Sequence, residues 1–403
     1  MDTDDYLSDD ELLVDEAETS AESEEDLHSD AGRVTEAVVT ATDWTTETVL
    51  SQLRRGNIQL NPRFQRRDAW TAARKSKFIE SLFLGLPIPQ LVLAENRRRR
   101  GSYIVIDGKQ RLLALRQFAA AATDDEFDEL RLRGLEVRPE LNGKTLSRLQ
   151  DDLDFQDALA AFENQTIRTV VVRNWPDEDF LYMVFLRLNT GSVPLSPQEL
   201  RQALHPGPFI DFAEDFTAVS EPIRDALRIT KPDFRMRDVE LLVRFYTFTR
   251  FLSQYDGNLK RSLDRTCEAL NEAWANDEQQ IVREAQTCEL AINTTLDIFG
   301  SHAFRRFNEG SWERRFNRAV FDAMVFYFRE EAVAKAAVQR KEDVVAAYRK
   351  ASEDVEFQEA LQTTTKTPAA TWRRLAEWGN ALSGALEMNL PQVELQDTRI
   401  VVR

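Results

Sequence analysis

The chain has 403 residues, of which 42% are apolar and 30% are charged, so it is expected to fold as two or three globular domains. It contains no apolar run long enough to cross a membrane, and its acidic N-terminus is unlike a secretory signal. Two cysteines and three widely spaced histidines argue against a disulfide framework, a Cys-rich zinc site, HExxH metalloproteases and HNH-type nucleases. A reducing cytoplasm is the expected location.

The formal net charge of −17 is unevenly distributed. Residues 1–30 contain fourteen acidic residues and no Lys or Arg, whereas residues 51–120 contain fifteen basic residues against four acidic ones. This change of sign predicts an anionic partner for the basic segment, although a solvated basic face is the simpler alternative. The acidic, Ser-rich residues 1–33 are predicted to be a disordered tail, which either aids solubility or competes with DNA or nucleotide.

In chain order, apolar periodicity and helix-ending residues predict helices over 45–55, 71–84, 109–122 and 179–188. Runs rich in β-branched residues predict strands over 90–94, 103–106 and 166–172. Further helices are predicted over 209–217, 236–253, 259–275, 277–297, 312–329, 331–350 and 353–361. A connector over 362–370, a last helix and a short strand within 390–403 complete the chain.

The predicted fold class is α+β. After the tail, residues 34–205 form an α+β domain with a small mixed sheet. Residues 206–386 form an α-helical domain, and residues 387–403 are a C-terminal extension.

The sharpest local feature is the segment from Tyr103 to Arg111, which is predicted to be a strand, a tight turn and a helix. The first turn of such a helix attracts anions, because its N–H groups are unpaired and the helix dipole is positive there. Asp107 is placed to cap the helix or hold a metal ion, Gly108 allows close approach of the backbone, and Arg111 can grip a phosphate. The alternative is that Asp107 only caps the helix and Gly108 only makes the turn.

Two further loops carry polar side chains suited to a ligand. In the first, Gln65, Arg66 and Arg67 lie between Phe64 and Trp70. In the second, residues 189–195 contain Asn, Thr, Gly and Ser. The next residues, 196–199, form a capping box with proline at the first helical position, so Glu199 has a purely structural explanation.

Two other patterns permit chemistry but are less specific. The Asp107-Gly108-Lys109 sequence has the D-x-K form of metal-dependent nucleases, with Glu80 and Glu95 upstream. Arg97, Arg98, Arg99 and Arg100 form a basic turn that could contact DNA phosphates or simply be a solvated hairpin tip.

Together these segments resemble the domain of unknown function 262, the N-terminal domain of GmrSD-type restriction enzymes, whose core is similar to the ParB/sulfiredoxin fold. The matching segments, in order, are Gln65-Arg66 up to Trp70, 78–81 with 86–89, Asp107-Gly108-Lys109-Gln110-Arg111-Leu112, and 187–191 with 199–201. The stretch 235–245 resembles the helical part of the family, so the resemblance covers roughly residues 40–300.

The resemblance implies binding and hydrolysis of a nucleoside triphosphate with Mg²⁺, in a restriction or anti-phage defence system directed at DNA. It assigns catalytic roles to Asp107, Gln110 and Arg111, nucleotide contacts to Gln65, Arg66, Gly108, Lys109 and Asn189, and a magnesium ligand to Asp107. Lys109 replaces the first glutamine of the family motif. Many relatives carry a nuclease domain with a histidine-centred motif that this sequence lacks, so any cleavage is expected from a separate nuclease subunit or from an unrecognised site. The alternatives are a DNA-binding module without catalysis and a nuclease that uses Asp107 and Lys109.

Overall fold

The structure is a computed structural model that describes residues 37–61, 67–188, 195–362 and 366–403. The described residues up to Leu204 form one compact unit, and those from His205 onward form a second. About 59% of the described residues are helical, and the first unit contains a small mixed sheet. The predicted combination of a small mixed sheet and a helical C-terminal region is therefore confirmed. The predicted disordered tail lies outside the described residues.

The sheet of the first unit has four strands, in the spatial order β1-β4-β2-β3. They are β1 (Val38–Thr45), β2 (Leu91–Glu95), β3 (Tyr103–Asp107) and β4 (Thr166–Arg173). β4 pairs with β2 in parallel and with β1 antiparallel, while β2 and β3 form an antiparallel hairpin. A register shift in this hairpin pairs Val92 with Asp107 and Leu93 with Val105, so Ile106 is an extra residue next to the end of β3.

Helices cover both faces of this sheet. They are α1 (Thr46–Arg54), α2 (Ala72–Phe83), α3 (Lys109–Phe118), α4 (Leu146–Gln150), α5 (Gln156–Asn164), α6 (Glu178–Leu188) and α7 (Pro197–Leu204). Because side chains alternate along a strand, Leu93 and Val105 belong to the core shared with α1, α2, α3 and α5. Val92 and Ile104 belong to the opposite core, shared with α6 and α7. The first unit is therefore a three-layer arrangement with β3 at one edge of the sheet.

The predicted elements of the first unit are found with small shifts at their ends, but three elements were missed. Strand β1 escaped prediction because it is an edge strand with most residues exposed, so it has no apolar alternation to read. The short helices α4 and α5 were not predicted either. Helix α3 ends at Phe118 rather than near Ala122, because the Gln117 carbonyl accepts N–H groups from Ala120 and Leu130 instead of continuing the helix.

The second unit is built from nine helices and two short hairpins in the described part of the chain. The helices are α8 (Pro208–Val219), α9 (Glu221–Leu227), α10 (Arg237–Thr249), α11 (Leu259–Phe299), α12 (Arg318–Phe328), α13 (Glu331–Gln339), α14 (Lys341–Ala351), α15 (Val355–Gln362) and α16 (Pro368–Leu386). The hairpins pair β5 (Phe307–Asn308) with β6 (Ser311–Trp312), and β7 (Val393–Gln396) with β8 (Arg399–Val402). Among these helices none is long and apolar enough to cross a bilayer.

Two predictions of where helices end in this unit were wrong. The two helices predicted over 259–275 and 277–297 are one helix of 41 residues, α11. No glycine or proline interrupts it. Beyond the expected break, Asp277 and Glu284 of this helix pair with Arg250. The single helix predicted over 331–350 is divided at Arg340, whose guanidinium donates to the Ala385 carbonyl.

The helix predicted over 312–329 begins only at Arg318, because Trp312 is in a hairpin. The turn of that hairpin places Glu309 and Gly310 at positive φ angles of 49° and 78°, as tight two-residue turns require. At the C-terminus, the predicted short strand is a two-stranded hairpin, β7 and β8.

A buried charge cluster lies between α10, α12 and α16 of the second unit. The Asp322 carboxylate accepts from Arg244 Nε at 3.1 Å and Nη2 at 2.6 Å, and from Arg374 Nη2 at 3.1 Å. All three side chains are almost completely buried. Asp322 is therefore shared by two guanidinium groups that have little access to water, and Arg244 has a second carboxylate, Glu240, at 3.8 Å.

Candidate functional site

The predicted strand, turn and helix form as expected at the edge of the sheet. We call residues 107–111 the Asp107 turn. Strand β3 ends at Asp107, Gly108 has φ +99° and ψ 14°, and α3 begins at Lys109. A Cβ atom on Gly108 would lie 2.4 Å from Leu91 Cδ2 and 3.1 Å from Arg111 Nη2. Both the positive φ angle and the close packing therefore require glycine here.

The carboxylate of Asp107 organises the turn with both of its oxygens. Oδ1 accepts the Gly108 N–H at 2.7 Å, and Oδ2 accepts from Arg111 Nη2 at 3.0 Å. The same Nη2 donates to the Gln90 carbonyl at 2.9 Å, which ties the start of α3 to the residue before β2. Arg111 is 5% exposed, and its Nε finds no acceptor among the described residues. Arg111 therefore holds the Asp107 carboxylate in position, and about a quarter of the Asp107 side chain is exposed.

The Lys109 side chain forms a buried ion pair that the sequence did not reveal. Its Nζ lies 2.5 Å from Glu199 Oε1, and both side chains are 5% exposed. Glu199 is brought there by the predicted capping box, in which Oε2 accepts the Ser196 N–H at 2.7 Å while Ser196 Oγ accepts the Glu199 N–H at 3.1 Å. The capping box is therefore confirmed, and Glu199 has a second role that links α7 to α3.

The start of α3 keeps the properties of an anion site. Its N-cap, Gly108, provides no side-chain hydrogen bond to the first turn, and no acidic residue lies in that turn. Gln110 is half-buried, and its Oε1 has no donor among the described residues. The dipole of this ten-residue helix is positive at the same point. The geometry can therefore receive an anion at the backbone, next to the Asp107 carboxylate.

At this turn the protein offers a metal ion few ligands, so a bound nucleotide and water would supply most of its coordination. Within the described ranges, no three His, Cys, Asp or Glu side chains come together as a metal site. Mg²⁺ bound with a nucleotide commonly uses one or two carboxylates, with phosphate oxygens and water supplying the rest. Asp107 alone fits that role.

The resemblance assigns nucleotide contacts to three further residues. Gln65, Arg66 and Asn189 lie outside the described residues. Of the same loop, Arg67 is buried, and Trp70 packs edge-to-face on Phe78 with the rings 5.8 Å apart.

The basic turn, Arg97–Arg100, is at the opposite end of the β2–β3 hairpin. Strand β3 separates it from Asp107 by about 13 Å, at ~3.3 Å per residue. All four arginines are exposed. Arg97 is held by the Pro176 carbonyl at 2.8 Å and lies 5.2 Å from the centre of the Trp175 ring. A polar cavity of about 380 Å³ lies beside it, lined partly by Arg100 and Asn174.

The carboxylates of the nuclease alternative have other partners. Glu80 accepts the Arg138 N–H at 2.8 Å. Glu95 accepts the Gly101 N–H at 3.0 Å and lies three residues along β2 from Val92, the partner of Asp107, a distance of about 10 Å. Lys109, the last residue of the D-x-K sequence, is itself paired with Glu199.

Comparison with known families gives one match. Residues 46–206 match the family model of the GmrSD restriction endonuclease, N-terminal domain. The match covers strands β2, β3 and β4, the Asp107 turn and helix α7, and it indicates a role in a restriction system. Neither the curated proteins nor the solved structures contain a significant match to the chain.

Proposed function

We propose that this chain binds and hydrolyses a nucleoside triphosphate at the Asp107 turn, and that it thereby regulates or powers a DNA-directed restriction or anti-phage system. The observation that carries the proposal is the uncapped start of α3, which follows a turn that only glycine can form. The turn also lies within the most basic segment of the sequence. A ParB/sulfiredoxin-like assignment of the first unit belongs to the same proposal and rests on the resemblance of its motifs.

In this proposal the phosphates lie against the first-turn N–H groups of α3. Mg²⁺, when bound, would neutralise phosphate charge, and Asp107 would supply its protein carboxylate. Arg111 holds Asp107 in position through Nη2. Gln110 carries an acceptor without a donor at the same helix turn and is the candidate to orient the attacking water. Gln65, Arg66 and Asn189 are proposed pocket neighbours on the strength of the resemblance alone.

Phosphate release from ATP, GTP, CTP and UTP, with Mg²⁺ and with or without DNA, tests this proposal. The sharpest variant is Asp107→Asn, because an amide keeps the size of the side chain and an oxygen for the Gly108 N–H while removing the charge. Asp43→Asn is the matched control, since Asp43 is an exposed carboxylate of the same unit that pairs with Arg168 at 3.2 Å. We expect release by the wild type and the control, and at least a tenfold loss in Asp107→Asn.

Folded wild-type protein that neither binds nor hydrolyses any of the four nucleotides at millimolar concentration would rule the proposal out. The non-catalytic alternative would then be favoured, in which the exposed arginines of the basic turn contact DNA phosphates. That alternative predicts DNA binding that falls steeply with salt and does not respond to nucleotide.

We also propose that cleavage comes from a separate nuclease subunit. The carboxylates upstream of the D-x-K sequence are engaged elsewhere, which supports this division of labour. The purified chain is therefore expected to leave plasmid DNA intact in the presence of Mg²⁺ and nucleotide. Metal-dependent nicking that survives Arg111→Ala but disappears in Lys109→Ala protein shown to be folded would instead identify the chain as the nuclease.

A further inference from the structure

A second basic and aromatic surface lies in the helical unit, after the end of α11. We call it the His302 surface and define it by His302, Phe307, Trp312 and Arg349. The His302 ring is stacked on Trp312, with the ring centres 5.0 Å apart and the planes 5° from parallel. Trp312 is in turn stacked on the buried Tyr348, at 5.8 Å and 2°. Three rings therefore form a parallel stack that runs from the core to the surface.

His302 is the outer ring of this stack. It is exposed, whereas Trp312 is half-buried and Tyr348 is 1% exposed. The described part of the chain places no ring other than Trp312 against it. Its outer position therefore offers an aromatic platform to a flat ligand, and the rigid stack beneath it lowers the entropy lost on binding.

The charges around this platform are positive. Arg349 is exposed, lies over the rings of Phe307 at 5.3 Å and Trp312 at 5.7 Å, and has no hydrogen bond or ion pair with the described residues. Arg228 donates to the carbonyl of Ser301, the residue before His302, at 2.6 Å.

The titration of His302 reflects the same positive potential. Partial burial and the cations Arg228, Arg349 and Arg305 lower the pKa of His302 below its usual value. Glu313, the residue after β6, lies 3.5 Å from Arg306 and is paired with it. An anion, rather than a cation or a neutral apolar group, is therefore the ligand that this potential favours.

We propose that the His302 surface binds single-stranded nucleic acid, with a base stacked on the His302 ring and a phosphodiester paired with Arg349. A platform for stacking beside a cation that pairs with phosphate is the combination used to bind single strands without regard to sequence. A duplex fits less well, because its bases are already stacked on each other. This inference is independent of the proposed nucleotide site, which lies in the first unit.

Binding of a labelled oligothymidylate of about ten nucleotides to the full chain tests the inference. Replacing His302 by Ala should weaken binding by about 5- to 150-fold, the loss expected for one stacked base, whereas His302→Phe should restore it. Arg349→Gln should lower affinity and reduce the slope of log K against log salt by about 0.7. Arg283→Gln is the matched control, since Arg283 is exposed on α11 about 24 Å before its end.

Histidine NMR provides a second readout that a change in folding would not mimic. The chain has only three histidines, so His302 is assigned by comparison with His302→Phe. Bound oligonucleotide should raise the pKa of His302, since phosphate offsets the surrounding cations.

Three results would overturn the inference. One is unchanged affinity in both His302→Ala and Arg349→Gln. Another is equal competition by a duplex of the same length. The third is loss of binding only when Arg97–Arg100 are replaced, which would assign the contact to the basic turn and leave the proposed nucleotide site unaffected.

Discussion

The buried ion pair between Lys109 and Glu199 is expected to couple α3 to α7. Both side chains are only 5% exposed, so replacing one partner leaves the charge of the other buried and without its ion-pair partner. Lys109→Met should destabilise the first unit by about 3–5 kcal/mol, because the Glu199 carboxylate stays buried with the Ser196 N–H but without its cation. Glu199→Gln should cost less, about 1.5–3 kcal/mol, since glutamine preserves the capping box and its amide oxygen can still accept a hydrogen bond from Lys109.

The double variant measures the coupling. If the pair is formed, Lys109→Met and Glu199→Gln together should cost less than the sum of the single losses, by about 0.5–3 kcal/mol. Urea unfolding followed by hydrogen–deuterium exchange of peptides from α3 and α7 reports on the first unit separately from the second. Losses that add within about 0.5 kcal/mol would refute the reasoning and show that the two side chains act independently.

Three further outcomes are expected. In urea unfolding, Gly108→Ala should lower the free energy of unfolding by about 1–3 kcal/mol more than Gly101→Ala does. Both glycines have positive φ, but of the two only Gly108 would bring a Cβ atom within 4 Å of other atoms. Equal losses would contradict the packing argument. Asp322→Asn should destabilise the second unit by about 3–5 kcal/mol, since the buried guanidinium groups of Arg244 and Arg374 lose the carboxylate that they share and Arg244 keeps only the more distant Glu240, at 3.8 Å. The exposed Asp397→Asn should change thermal stability little. Because the pKa of His302 is lowered on folding, the unfolded chain binds the proton more tightly, and the folded protein loses stability as pH falls through 6.5. His302→Gln should therefore show a smaller drop in melting temperature than the wild type between pH 7.5 and pH 5.5. An equal drop would argue against the positive potential around His302.

Local signals in the sequence were sufficient for most of the fold and for the centre of the candidate site. Helix α2 begins at Ala72, one residue after its predicted start at Thr71, whose side chain accepts the Arg74 N–H. The β2–β3 hairpin was predictable from its apolar runs. The Asp107 turn was predictable because a strand, a glycine and a helix adjoin in the chain, so the backbone conformation depends on near neighbours.

The elements that the sequence did not predict correctly form contacts with residues that are distant in the chain. Strand β1 is defined by its pairing with β4, from Val38 opposite Arg173 to Thr45 opposite Thr166, and its own side chains carry no buried face. At the break between α13 and α14, the Arg340 guanidinium donates to the carbonyl of Ala385, a residue 45 positions away.

The same distinction applies to the roles of individual side chains. From the sequence, Glu199 was explained by its capping box and Lys109 was an unexplained departure from the family motif. Ninety residues separate them, and no local pattern encodes the ion pair that joins them. His302, Trp312 and Tyr348 likewise become a stack only where α11, the β5–β6 hairpin and α14 pack together. The sequence determined the backbone of the site, because that depends on adjacent residues. Tertiary structure decided the charge partners and ring contacts, because they depend on residues that only folding brings together.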